Sequence, residues 1–109
     1  MKLSDNFSLH EFTRSQTATR HGIDNTPSKE IIGNLQSLCL GVLQPVRQHF
    51  QKPMIISSGY RCVELNIKIG GSITSQHVQG QAADIEVLEV SNLELSDWIN
   101  KNLSFDQLI

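Results

Sequence analysis

Apolar positions follow a helical repeat in the first half of the chain and a strand repeat in the second. Ile31, Leu35, Leu38, Cys39, Val42, Leu43, Val46 and Phe50 recur at steps of three and four residues, which puts them on one face of an amphipathic helix. Asn25-Thr26-Pro27 just ahead predicts the opening of that helix, a polar cap followed by a proline whose φ suits the first turn. Pro45 lies inside the run. Its ring presses on the Gly41 carbonyl and it lacks an N–H, so a kink is expected there rather than an end. This helix is the expected main core element.

The other elements are shorter. Ser8-Leu9-His10-Glu11 has the spacing of a capping box and predicts a helix over residues 9–14. Residues 15–25 are polar and read as an extended connection. After Lys52-Pro53 the pattern changes. Residues 54–58 read as a strand closed by Gly59, and residues 67–75, with Gly70-Gly71, as a loop over the site. Residues 82–88 are the clearest strand, with Ala83, Ile85 and Val87 on one face and Asp84 and Glu86 on the other. Ser91 caps a further helix, with Glu94 completing a second capping box and Leu95, Trp98 and Ile99 as its apolar stripe. Residues 105–109 begin one more strand. The order helix, helix, strand, strand, helix, strand predicts an α+β fold, with helices packed on a small, mainly antiparallel sheet.

A chain of 109 residues reads as one domain, able to bury roughly two-thirds of its unfolded surface and to fold without staples. Its 39% hydrophobic and 18% charged residues are those of soluble globular proteins. The formal net charge of -2, with no run of Lys or Arg, gives no electrostatic case for nucleic acid. No apolar run approaches the ~20 residues of a membrane span, and no signal-peptide core opens the chain. The expected location is cytoplasmic as synthesised, with action on a cell wall only after release or export. Cys39 and Cys62 are not spaced as a metal clip or a redox pair and read as two reduced thiols.

Candidate chemistry gathers in Ser75-Gln76-His77-Val78-Gln79-Gly80-Gln81-Ala82-Ala83-Asp84-Ile85. His77 and Asp84 offer one imidazole and one carboxylate, ligand types that a catalytic zinc takes. A strand is a stiff platform for Asp84, Gly80 lets the chain double back, and Ala82 and Ala83 leave room for close packing. The spacing can build two-thirds of a three-ligand site. It is also the spacing of a surface histidine and a solvated aspartate. His10 reads as a surface residue, His49 as a charge near the C-terminal end of the long helix, and His21 as the least constrained of the three; none reads as a ligand. Glu86 shares the face of Asp84, but two residues along a strand is ~6.6 Å, too far for a direct base.

These residues stand in a wider pattern. Ser57-Ser58-Gly59-Tyr60-Arg61, Leu65-Asn66, Gly70-Gly71, Ser75-Gln76-His77, Gly80, Ala82 and Asp84-Ile85 together resemble the zinc D-alanyl-D-alanine carboxypeptidase family, which also holds VanY-like enzymes and phage endolysin L-alanyl-D-glutamate peptidases. The helix around Leu43-Gln44-Pro45-Val46-Arg47 and the opening from Asn6 to Gln16 are similar to the compact branch of that family. The resemblance spans essentially the whole chain. It implies a D-Ala-D-Ala carboxypeptidase-like (hedgehog/DD-peptidase) fold, Zn2+ as cofactor, and peptidoglycan stem peptides as substrate. It matches His77 and Asp84 to the first two zinc ligands, and Arg61 to an arginine that holds substrate or stabilises the oxyanion. Ser75 matches a residue near the substrate's peptide end. Arg61 has a second reading as a surface ion pair closing the loop, and Ser75 as a plain turn hydroxyl. Tyr60 and Asn66 read as scaffold, and Gly70, Gly71 and Gly80 as devices for tight turns.

In the family, a strand resembling Phe105-Asp106-Gln107-Leu108-Ile109 leads to a glutamate base and then to a histidine as third ligand. Neither follows within this chain, so the expectation is a domain cut short of its catalytic end and inactive or weak by itself. Two other readings stand beside it. One is a non-catalytic peptidoglycan-binding module that keeps the cleft and Arg61. The other is a self-associating form in which the open strand edge at residues 105–109 pairs with a second copy.

Overall fold

The computed structural model describes residues 1–72 and 75–103. In chain order the elements are β1 (Lys2–Ser4), β2 (Phe7–Ser8), α1 (Leu9–Thr13), α2 (Gln16–His21), α3 (Lys29–Leu38), a π-helical turn (Cys39–Leu43) and α4 (Gln44–Phe50). There follow β3 (Met54–Ser58), α5 (Val63–Lys68), a 3-10 turn (Gln76–Gln79), β4 (Asp84–Val87) and α6 (Asn92–Asn102). The strands pair as two small antiparallel sheets, β1 with β2 and β3 with β4. The class is α+β, as the order of elements predicts.

The periodic run behaves as its spacing requires. The segments α3, π turn and α4 follow one another without a break and bury Leu35, Leu38, Cys39, Val42, Leu43 and Val46. The start differs from the expectation. Ser28 is the N-cap, its hydroxyl accepting from the Ile31 N–H at 3.3 Å, and the side chain of Asn25 is spent elsewhere. Pro45 neither ends nor interrupts the run. The helix widens just ahead of it, where the Gln44 N–H reaches back to the Cys39 carbonyl, and the extra residue in that turn accommodates a ring that would otherwise press on Gly41.

Two other expectations need correction, and one element is new. The segment 15–25 is not extended throughout: Ser15 accepts from the Ala18 N–H at 3.2 Å, and Gly22, at φ 66, closes α2 in the left-handed conformation. The loop expected over 67–75 begins later, because Ile67 and Lys68 are the last residues of α5. The hairpin of β1 and β2 has no counterpart in the sequence reading. It is fastened to the long helix by Gln44, whose Oε1 accepts from Ser4 Oγ (2.8 Å) and Asn6 N (3.0 Å) while its Nε2 donates to Asn6 Oδ1 (2.7 Å). The strand expected over 105–109 lies outside the described residues.

Strand β4 carries the predicted alternation, with Ile85 and Val87 buried, Glu86 exposed and Asp84 half-buried, and β3 forms where a strand closed by Gly59 is expected. Their register pairs Met54 with Val87, Ile56 with Ile85 and Ser58 with Asp84. One extra residue between Ile56 and Ser58 makes an irregularity, and such bulges re-aim side chains at the end of a ladder. Here it sets Asp84 beside the turn that leaves β3. Helix α6 starts at Ser91, whose hydroxyl accepts from the Glu94 N–H, and buries Leu95 and Ile99. The core joins Leu3, Phe7 and Phe12 at one end to Ile85, Leu95 and Ile99 at the other through the long helix. His49 is not merely solvated: its ring stacks on Trp98 with centroids 4.4 Å apart and helps dock α4 on α6. Both cysteines are free thiols. No described helix is long and apolar enough to cross a membrane.

Candidate metal centre and adjoining cleft

The turn after β3 is held by contacts that no side chain at Gly59 would permit. A Cβ there would lie 2.7 Å from the Phe12 Cα and carbonyl oxygen. The next residue, Tyr60, donates its N–H to that same carbonyl at 2.7 Å. Buried Asn25 then fixes the backbone on both sides of Arg61. Its Nδ2 donates to the carbonyls of Tyr60 (3.0 Å) and Thr13 (2.9 Å), and its Oδ1 accepts from the Cys62 N–H at 2.7 Å. Both amide hydrogens and the amide oxygen are used for positioning, which explains why Asn25 does not cap α3.

His77 sits in the 3-10 turn that Ser75 begins and Gly80, at φ 71, ends. Gly80 has a second reason to be glycine, since a Cβ would meet Ile31 Cγ2 at 2.9 Å. The His77 side chain is 7% exposed and its Nδ1 lies 2.7 Å from the Gly59 carbonyl oxygen. A carbonyl only accepts, so Nδ1 carries a hydrogen. In the neutral ring Nε2 is then the nitrogen with the free lone pair, and it faces Asp84 Oδ1 at 3.8 Å. This is the arrangement in which a histidine's second nitrogen is oriented for a metal. Asp84, the first residue of β4, keeps its side chain 35% exposed, and its backbone carbonyl accepts from Ser57 Oγ at 3.1 Å.

Arg61 and Ser75 meet in the same place. Arg61 donates from Nη2 to Ser75 Oγ at 3.2 Å, and its backbone N–H donates to the His77 carbonyl at 3.2 Å. Ser75 Oγ also accepts from the His77 N–H at 3.2 Å. Among the described residues Arg61 makes no ion pair, and its Nε–H is buried without an acceptor. A buried donor left open in this way is a place for a bound group to accept. Thus Arg61, Ser75, His77 and Asp84 are brought together. His10 and His21 stay exposed on the surface, and Asn66 is buried, donating to the Ser72 carbonyl at 2.8 Å. Tyr60 is half-buried, and burial pushes its phenol above the usual value, with Cys62 and Asp24 adding to the shift.

The donor pair can be tested against a zinc ion. Zinc bonds to nitrogen and oxygen are about 2.0–2.2 Å, so one ion reaches two donors that stand 3.8 Å apart. His77 and Asp84 fit two of the positions. No cluster of three or more His, Cys, Asp and Glu occurs among the described residues. Sequence reasoning missed two parts of the site. Asn25 carries a signal, a polar residue before Pro27, that points as well to a helix cap. The Gly59 carbonyl, a backbone group, has no signal in the sequence.

Beside the donor pair runs a cleft of about 880 Å³ between α2 and the end of β3. Ser58 and Gly59 lie in its wall, and these residues face Asp84 and His77 respectively. An imidazole nitrogen and a carboxylate oxygen held near an open cleft are donor types that a zinc ion takes. The pattern of the chain agrees: the family model described as peptidase M15 matches residues 5–109, and the chain belongs to that family of zinc peptidases. Comparison with curated proteins and with solved structures gives no match. The family is typically zinc-dependent, and the protein is a peptidase-type domain of the metallopeptidase class.

Proposed function

We propose that this domain hydrolyses an amide bond in peptidoglycan stem peptides, with zinc held in part by His77 and Asp84 in a D-Ala-D-Ala carboxypeptidase-like fold. The single observation that carries the metal role is the His77 ring. Its Nδ1–H is tied to the Gly59 carbonyl at 2.7 Å, and its Nε2 faces Asp84 Oδ1 at 3.8 Å. Zinc, when bound, supplies Lewis acidity at the scissile carbonyl. Arg61 does the rest of the electrostatic work. Its fixed guanidinium, held by Ser75, binds a substrate oxygen and stabilises negative charge as it develops there. Ser75 sets the guanidinium's direction and the start of the His77 turn together.

The peptidoglycan substrate rests on the resemblance of the Gly59-Tyr60-Arg61 and Ser75-to-Ile85 segments, together with family membership. Two donors hold zinc less firmly than three, so weak zinc affinity and slow but measurable zinc-dependent turnover are expected. The test is a calorimetric zinc titration with a His77→Ala control, followed by incubation with stem pentapeptide and analysis for released amino acids. Zinc binding lost in the variant, with zinc-dependent release, supports the reading. Zinc binding that survives His77→Ala overturns the metal role. Stem-peptide binding indifferent to chelator, with no hydrolysis at saturating zinc, favours a non-catalytic binding module instead.

A further inference from the structure

The cleft beside the donor pair has an unusual charge balance. It is lined by Arg14, Arg20 and Arg61 and by no aspartate or glutamate. Three of the chain's nine Lys and Arg residues therefore face one hollow in a protein whose formal net charge is -2. None of the three pairs with a carboxylate among the described residues. Like charges gathered without counter-charges repel one another at a cost. That cost is offset when an anion enters.

We propose that this cleft is a subsite for a peptide segment carrying two or more free carboxylates, with Arg14 and Arg20 on one wall and Arg61 on the other. The inference rests on the peptide-hydrolysing reading of the same site and extends it to substrate charge. Three features of the cleft favour a short acidic peptide. Its remaining lining mixes hydroxyls such as Ser57 and Thr19 with apolar Ile55 and Ile69, which suits peptide backbone and small side chains between the charged groups. Its wall includes Ser58 and Gly59, the residues that neighbour Asp84 and His77, so a chain lying in it passes one residue away from the donor pair. Three guanidinium groups match a few carboxylates and fall short of a continuous polyanion, which the net charge of the protein repels.

The two walls are held to each other. Asn25 joins the Thr13 carbonyl, next to Arg14, to the Tyr60 carbonyl and Cys62 N–H that flank Arg61. This holds the backbone beside Arg14 and around Arg61 in one frame, so the two walls keep their separation when a peptide enters. Arg14 and Arg20 are exposed and act as specificity determinants for the charge of the peptide beyond the bond that is cut.

The probe is a synthetic hexapeptide with two glutamate residues, compared with its twin in which both are glutamine, titrated by NMR into the metal-free protein at low salt. Single exposed ion pairs are modest, and two together set the expected preference for the acidic peptide at about tenfold. The R14Q/R20Q double variant should keep its melting temperature and lose most of that preference, while R14K/R20K, which retains the charge, should keep it. Equal affinity for the two peptides, no binding of the acidic peptide at millimolar concentration, or a preference unchanged in R14Q/R20Q would each overturn the inference. Failure of the peptidase reading looks different: the acidic preference persists in metal-free protein while no zinc-dependent hydrolysis occurs.

Discussion

At the scale of single residues, the candidate site depends on a glycine as much as on its histidine. The Gly59 carbonyl fixes the His77 ring, and the close approach of Phe12 requires that residue 59 have no side chain. Gly59→Ala is expected to lower stability by about 1–3 kcal/mol, the usual cost of overpacking, and to weaken zinc binding by displacing the carbonyl. Gly41→Ala is the control, because a Cβ at Gly41 meets nothing within 4 Å. Thermal melts and zinc titrations of both variants check this; equal effects would mean that the Phe12 contact is unimportant. The two cysteines make a second test. Burial, with Glu11 adding to it, pushes the Cys39 thiol up to about 12, whereas Cys62 is only half-buried. A thiol reagent at about pH 8 attacks thiolate, so the native protein should label at Cys62 and take up a second equivalent at Cys39 only in denaturant. His77 and Asp84 are legible as a candidate pair only with the flanking residues that resemble the family, because their types and spacing alone also suit a surface histidine and a solvated aspartate. The carbonyl behind His77 is not legible, because every residue has one.

At the scale of elements, what could be read depended on length. The long helix spans several turns, so its repeat of apolar residues outweighs local signals, and even Pro45 is absorbed by a π turn. The strands β3 and β4 also match, since period-two alternation is decisive when one face is buried. Short elements escaped. Helix α2 exposes most of its surface and buries only Ala18, so it has no apolar stripe, though Ser15 and Gly22 at its ends are recognisable caps in retrospect. The hairpin of β1 and β2 is too short to show alternation and owes its place to Gln44, a buried side chain in the middle of an otherwise apolar face. Gln44→Ala should leave the Ser4 hydroxyl and Asn6 groups without partners. The expected loss is about 1–3 kcal/mol, with hydrogen exchange accelerated at residues 2–8 ahead of the rest of the protein. Unchanged protection there would show that the hairpin stands without Gln44.

At the scale of the whole molecule, Asn25 is the residue through which separate parts meet: α1, the turn after β3 and the start of α5 all end on its amide. Asn25→Ala should cost about 1–3 kcal/mol through unpaired backbone groups, and it should shift the NMR signals of Arg61 and His77 although it touches neither side chain. Asn25→Asp, which loses the two donated bonds but keeps the acceptor for Cys62, should fall between. A variant that melts normally and leaves His77 unshifted would remove Asn25 from the positioning role. The sequence by itself determined the α+β class, the main core helix, the β3 and β4 strands and the family, because these rest on repeated or closely spaced residues. Only the tertiary structure decided which nitrogen of His77 is free, that Asn25 serves the site rather than a helix cap, and that Arg14 and Arg20 share a cleft with Arg61. Each of these depends on groups far apart in the chain or on backbone atoms common to every residue, and neither leaves a mark on the order of side chains.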